Sequence, residues 1–175
     1  MSYFYKMRYP INTMKEYEEK GWALQASGGG LVLGRSHDEG GIYCWIKHEM
    51  DYVLEAEIEG YEYILNPGAA YYYQKIFDQF NKPKEHSYLS EPCYNPPSHI
   101  RVLDARGTFE PKHLLFELGH FAVINKKSTS GYLETLEEMN NAVSYSIVRP
   151  DYAETVVHSR KLIIKRFFDQ VEGFF

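Results

Sequence analysis

The chain has 175 residues, 44% of them hydrophobic and 25% charged, values that exclude a disordered chain and fit one globular domain. The formal net charge of −5 argues against a general nucleic-acid binder, which normally carries a basic patch, and we find no strong nucleic-acid signal. No run approaches the ~18 apolar residues of a membrane span. We therefore predict a single domain over residues 1–175, and we place any seam in it at residues 82–98.

The N-terminal part predicts a strand followed by a short helix. Residues 2–9 alternate aromatic and polar side chains, which predicts an edge strand that Pro10 ends. Asn12 or Thr13 can then cap a helix over residues 14–20, which Gly21 terminates.

The next part predicts a small antiparallel β unit. Strands are expected at four runs rich in β-branched and aromatic residues, namely 31–33, 42–47, 52–59 and 61–65. In the third run a polar face alternates with a mostly apolar face made of Tyr52, Leu54, Ala56 and Ile58, which is typical of a half-buried antiparallel strand. Asn66 and Pro67 then open a helix, because asparagine caps well and proline is tolerated in the first turn.

The second half mixes helices and strands. Residues 81–98 contain four prolines without periodicity and predict a long loop. Ser128 is expected to cap a helix over residues 132–144. The other elements expected here are strands at 99–103 and 121–124 and helices at 111–118 and 151–171. The fold class predicted from all of this is α+β, a small antiparallel β unit with several packed helices.

Catalytic candidates are few. Cys44 and Cys93 stand far apart and outside any CxxC pattern, so neither a disulfide framework nor a zinc knuckle is indicated. A cysteine nucleophile needs a histidine to take its proton, and His99 or His120 could serve Cys93 in a peptidase or transferase. The histidines show no metal-ligand spacing such as HExxH. We therefore predict no catalytic set, metal or cofactor, and keep the cysteine enzyme as an alternative.

The most informative stretch is a pair of glycine-containing segments. The first, GRSHDEGGI, runs from Gly34 to Ile42 and contains Ser36, His37, Gly40 and Gly41; the second, IEGYEYILN, runs from Ile58 to Asn66 and contains Glu59, Gly60 and Glu62. The serine and histidine can hydrogen-bond backbone groups across a tight turn, and the glycines permit a bulge or a left-handed residue. Either glutamate could receive the histidine proton, so the residues predict a rigid β clip, with a His37–Glu62 acid-base pair as the alternative.

These two segments resemble a pattern in structural proteins of phages and other large DNA viruses, G-x-S-H-x-x-G-G-I followed by V-E-G-G-E-x-I-I-N. The resemblance covers residues 34–66, and Tyr61 departs from it, standing where a second glycine is usual.

The resemblance implies a non-enzymatic virion component, a minor capsid or cement protein that bridges larger shell subunits. Its partners would be other virion proteins, with the major capsid protein foremost, and its location the virion, assembled in the host cytoplasm. The 16 tyrosines suit such a role, because tyrosine covers broad half-buried contact surfaces. A cytoplasmic binding module, such as an immunity protein, is the third hypothesis.

Overall fold

The computed structural model describes residues 7–73, 96–106, 112–117 and 121–141. Nine strands and three helices lie in these ranges. In chain order they are β1 (Arg8–Pro10), α1 (Ile11–Glu19), β2 (Ala23–Gln25), β3 (Gly30–Leu33), β4 (Ile42–His48), β5 (Asp51–Ile58), β6 (Tyr63–Leu65), α2 (Pro67–Tyr72), β7 (Val102–Asp104), β8 (His113–Phe116), β9 (Ala122–Ile124) and α3 (Lys126–Asn141). The helix predicted at 151–171 and most of the proline-rich segment lie outside the described residues.

The strands form two mixed sheets. One has five strands in the order β1-β5-β4-β8-β2, and the other has four in the order β7-β3-β6-β9. Three strand pairs are parallel: β2 with β8, β4 with β8, and β3 with β7. The predicted α+β class is therefore confirmed, and its β part is larger than a small antiparallel unit.

Three groups of buried side chains define the layers. Val32, Ile64, Cys44 and Leu114 come from both sheets and pack between them. On the far side of the four-stranded sheet a second group includes residues of α2 and α3, and on the far side of the five-stranded sheet a third group includes Met14 of α1. The order of layers is thus α1, five-stranded sheet, four-stranded sheet, and α2 with α3.

A β-bulge in β5 divides the apolar face that the alternation predicts. Cys44 pairs with Ala56 and Trp45 with Leu54, so Glu55 is the extra residue that the bulge inserts between these two pairs. One inserted residue moves all later side chains to the opposite face of a sheet. Leu54 accordingly packs on the α1 side, whereas Ala56 packs between the sheets.

Two elements differ from prediction in their type or start. Residues 113–116 form β8, an interior strand of the five-stranded sheet between β4 and β2, not a helix, because a short apolar run buried on both faces suits an interior strand as well as it suits a helix. The last described helix begins at Lys126, and its cap is the Asn125 side chain, which accepts a hydrogen bond from Ser128 N at 2.8 Å. Ser128 is therefore inside the helix rather than at its cap.

Helix α1 also lacks its predicted cap. It begins at Ile11, directly after Pro10, and no side chain caps it, so Asn12 and Thr13 lie within its first turn. The cap predicted for α2 is present, since the Asn66 side chain accepts from Ala69 N at 2.8 Å.

The β4–β5 turn offers a direct stability test. Glu49 has a φ of 57°, which is in the left-handed region. The φ of its neighbour Met50 is not positive. Replacing Glu49 with glycine should raise the free energy of unfolding by about 0.5–1 kcal/mol, because the left-handed penalty of a side chain exceeds the extra unfolded-state entropy of glycine. Urea denaturation measures this.

Met50→Gly is the matched control for that variant, since it adds the same backbone flexibility to the unfolded chain one residue later. It should lower the free energy of unfolding. Equal effects of the two variants would show that backbone strain at Glu49 does not matter.

Candidate functional site

The two segments of the motif lie where the chain passes between the sheets. Residues 34–41 carry the chain from β3 to β4, and residues 59–62 carry it back from β5 to β6. The second crossing is hydrogen-bonded to the first crossing and to β3: Gly60 N donates to Arg35 O at 3.0 Å, and Tyr61 N donates to Val32 O at 2.7 Å. We call residues 34–41 together with 57–62 the clip.

The first crossing is held by a reciprocal pair of hydrogen bonds. Ser36 N donates to Glu39 Oε1 at 3.0 Å, and Glu39 N donates to Ser36 Oγ at 3.3 Å. The bond from Ser36 N lowers the pKa of the Glu39 carboxyl. This is the geometry of a capping box, and its Ser-x-x-Glu spacing is visible in the sequence as SHDE. The serine hydroxyl is thus used to close the turn.

The two consecutive glycines complete that turn. Gly40 has φ of 116° and Gly41 has φ of 72°, conformations that favour glycine. Gly41 N donates to Ser36 O at 2.9 Å, and Arg35 Nε donates to Gly41 O at 3.0 Å. The expected left-handed glycines are therefore present, and Arg35 is a further member of the clip.

Gly60 marks the point where the two crossings touch backbone to backbone. A Cβ at this position would lie against the Gly34 carbonyl oxygen, closer than real Cβ atoms approach, and 2.9 Å from the Gly34 carbonyl carbon. No side chain can move aside there, because the obstacle is main chain. This position of the motif therefore requires glycine.

Tyr61 occupies the position where the viral pattern usually has its second glycine. Its φ is 68°, so the backbone is left-handed there although the residue is tyrosine. The left-handed conformation gives a physical reason for glycine in the pattern. The close approach itself depends on the preceding residue, Gly60, which this chain keeps.

His37 contacts a carboxylate that the sequence did not single out. Its Nδ1 lies 3.2 Å from Glu57 Oε1, and its backbone N donates to Glu59 Oε2 at 3.3 Å. The hydrogen bond to Glu57 raises the pKa of His37, and the charges of Glu59 and Glu62 add to that shift. The ring is half exposed, so the pair lies at the surface.

We expect the pKa of His37, measured by NMR titration of its ring protons, to fall in the Glu57→Gln variant. The hydrogen bond then no longer favours the protonated ring. Because the folded-state pKa is raised, the pair contributes stability below pH 6.5 and loses it as the pH rises through the folded-state value. Glu55→Gln, on the same strand, is the control, and a larger shift in that variant would contradict the assignment.

Glu59 and Glu62 serve the second crossing. Glu62 Oε1 accepts from Glu59 N at 2.7 Å, and burial raises the pKa of Glu62. Glu59 Oε1 lies 3.5 Å from Lys126 Nζ at the start of α3. The His37 ring therefore hydrogen-bonds neither of the two glutamates proposed from the sequence, and the structure does not bring His37 and Glu62 together as a hydrogen-bonded acid-base pair.

Asn66, the last residue of the motif, fastens α3 to the sheet. Asn66 N donates to Asn140 Oδ1 and Asn66 Nδ2 donates to Asn140 O, both at 2.8 Å. The Asn140 side chain also donates to Gly28 O at 2.8 Å. Both asparagines are buried. No sequence spacing indicated Asn140, because it lies 74 residues from its partner.

The cysteine and histidine candidates lie partly outside the described residues. Cys44 is fully buried between the sheets, and burial raises the pKa of its thiol. His99 is exposed and its Nε2 lies 2.7 Å from Glu134 Oε2, whereas Cys93 and His120 lie outside the described residues. Within the described ranges, no three His, Cys, Asp or Glu side chains are grouped as a metal ion requires.

Comparisons with protein-family models, curated proteins and solved structures give no match to this chain. None of the described helices is long and apolar enough to cross a membrane.

Proposed function

We propose that this chain is a non-catalytic structural component of a virus particle, a minor capsid or cement protein that bridges larger shell subunits. The observation that carries the proposal is the clip. Its polar side chains close the turn within each crossing, and a backbone hydrogen bond from Gly60 N to Arg35 O holds the two crossings against each other at the corner where both sheets are joined. Corners of this kind set the relative placement of two packed sheets. The clip thus supports a rigid scaffold.

The bonding of individual side chains supports a structural role for the motif. Ser36 Oγ and Glu62 Oε1 each accept a hydrogen bond from a backbone N–H of the clip, and Asn66 caps α2 while it binds α3. A nucleophile or general base has to contact its substrate through the same atoms. The resemblance of these segments to viral structural proteins favours a scaffold in the virion over a scaffold elsewhere. The proposed partners are other virion proteins, the major capsid protein above all.

Particles of the virus that encodes this chain test the proposal. After density-gradient purification and a high-salt wash, mass spectrometry should find the chain at a fixed ratio to the major shell protein. A Gly60→Ala variant should be lost from the particles, because the clip cannot close around an added Cβ. His37→Ala should be incorporated like the wild type, since the His37 ring is half exposed.

Two results would overturn the proposal. Absence of the chain from washed particles would exclude a virion component. A purified protein that modifies a substrate, and loses that activity in His37→Ala, would instead assign the clip to catalysis. The cysteine-enzyme alternative is tested separately by thiol labelling, and an unreactive Cys93 at neutral pH eliminates it.

A further inference from the structure

A cavity of about 300 Å³ lies on the α1 side of the five-stranded sheet, away from the core between the sheets. Aromatic rings form most of its wall, contributed by Tyr9, Tyr17, Trp22, Tyr43, Trp45 and His113. The volume is at the lower end of the range of ligand pockets, roughly 300–1,000 Å³. None of these rings belongs to the clip.

The rings contact one another as a continuous surface. Tyr17 stacks on His113 with ring centroids 5.1 Å apart and packs against Trp22 at 5.6 Å. Tyr9 packs against Trp45 at 4.9 Å. Flat apolar rings held in this way bind other rings and flat apolar groups with little loss of conformational entropy.

The buried His113 also supplies a hydrogen-bond donor to the cavity. His113 is 8% exposed, and its Nδ1 accepts a hydrogen bond from Trp45 Nε1 at 3.0 Å. Because Trp45 can only donate, the neutral imidazole carries its proton on Nε2. Among the described residues nothing accepts from Nε2, so a ligand in the cavity can do so.

The charge of the cavity favours an uncharged ligand. Among the described residues that line it there is no carboxylate, and the Lys20 ammonium lies 4.7 Å from the centre of the Trp22 ring. Burial lowers the pKa of His113 to about 4, so the imidazole is neutral at physiological pH. Neither a cationic nor an anionic group would find an opposite charge in the described part of the wall.

We infer that this cavity, which we call the aromatic pocket, binds an extended proline-containing peptide of a partner protein. A prolyl segment supplies an uncharged ring and, beside it, a carbonyl acceptor for His113 Nε2–H. Such segments are already extended before binding, and aromatic-lined grooves are their usual receptors. The inference concerns residues outside the clip and does not depend on the proposed virion role.

Tryptophan fluorescence tests the inference directly. The chain has two tryptophans, Trp22 and Trp45, and both line the aromatic pocket. Titration of the full chain with a ten-residue polyproline peptide at pH 7 should give a saturable change in emission, confirmed by calorimetry. A ten-residue glycine-serine peptide should give none.

Variants locate the binding. Tyr17→Leu should weaken the affinity for polyproline by about tenfold, since one aromatic wall is lost. Tyr43→Leu, on β4, is a second variant in case the first does not fold, as judged by thermal melting. Tyr71→Leu is the control, because Tyr71 is 60% exposed on α2, behind the other sheet, and it should bind like the wild type.

Several results would overturn the inference. The first is that the folded protein shows no saturable binding to polyproline. The second is that the glycine-serine peptide binds equally well. The third is that the folded Tyr17→Leu and Tyr43→Leu variants bind polyproline with unchanged affinity. Binding of a small aromatic amide such as benzamide without binding of polyproline would assign the pocket to a small ligand instead.

Discussion

Gly60→Ala is expected to lower the free energy of unfolding by about 2–4 kcal/mol, a large loss for one methyl group. The added Cβ would meet the Gly34 carbonyl oxygen and lie within 3.0 Å of two further main-chain atoms of Gly34. Relief requires the two crossings to separate, which breaks the bond from Gly60 N to Arg35 O. Chemical denaturation followed by circular dichroism measures the loss.

Gly28→Ala is the matched control for this prediction. A Cβ added at Gly28 would be as close to its nearest atom as a Cβ added at Gly60. That atom belongs to the guanidinium group of Arg101, which is exposed and can turn away. The cost should stay below about 1 kcal/mol, mostly from the hydrogen bond between Arg101 Nη1 and Gly28 O. Equal losses in the two variants would refute the backbone-contact explanation of the motif glycine.

Asn140→Ala is expected to lower the free energy of unfolding by about 2–3 kcal/mol, because it removes the Asn140 Oδ1 atom that accepts from the buried Asn66 N–H. Gly28 O still accepts a hydrogen bond from Arg101 Nη1 in this variant, so the loss of the Asn140 amide leaves it with one donor. Asn140→Asp should be at least as damaging at pH 7, since a buried carboxylate would face the Gly28 carbonyl oxygen. Urea denaturation compares the variants.

The neighbouring residue provides the control. Asn141 is exposed and its amide makes a long hydrogen bond, 3.3 Å, to Glu137 Oε1. Asn141→Ala should change the free energy of unfolding by less than about 0.5 kcal/mol. If Asn140→Ala proved equally mild, the last residue of the motif would not be what fastens α3.

Much of the clip could be predicted from the sequence because its determinants are local. The Ser-x-x-Glu spacing and the two glycines specify the turn over residues 36–41, since the groups that bond are three to five residues apart. The partner of His37 could not be predicted in this way. Glu57 lies 20 residues away, and only the pairing of Glu57 with Tyr43 in the β4–β5 ladder brings it to the turn.

The sequence by itself determined the elements that follow from local chemistry. Alternation and turn residues defined β3 to β6, and asparagine followed by proline defined the start of α2, because these signals act within a few residues. The α+β class follows from them. The glycines of the clip were recognisable by type, although their contact partners were not.

The tertiary structure alone decided the placement of distant segments. The apolar run at 113–116 became the interior strand β8 because β4 and β2 supply hydrogen-bond partners on both sides. The bulge at Glu55 placed the side chains of one predicted apolar face in two different cores. Asn140 is hydrogen-bonded to Asn66, although 74 residues separate them in the chain. Each of these contacts joins residues far apart in the chain, where periodicity and spacing carry no information.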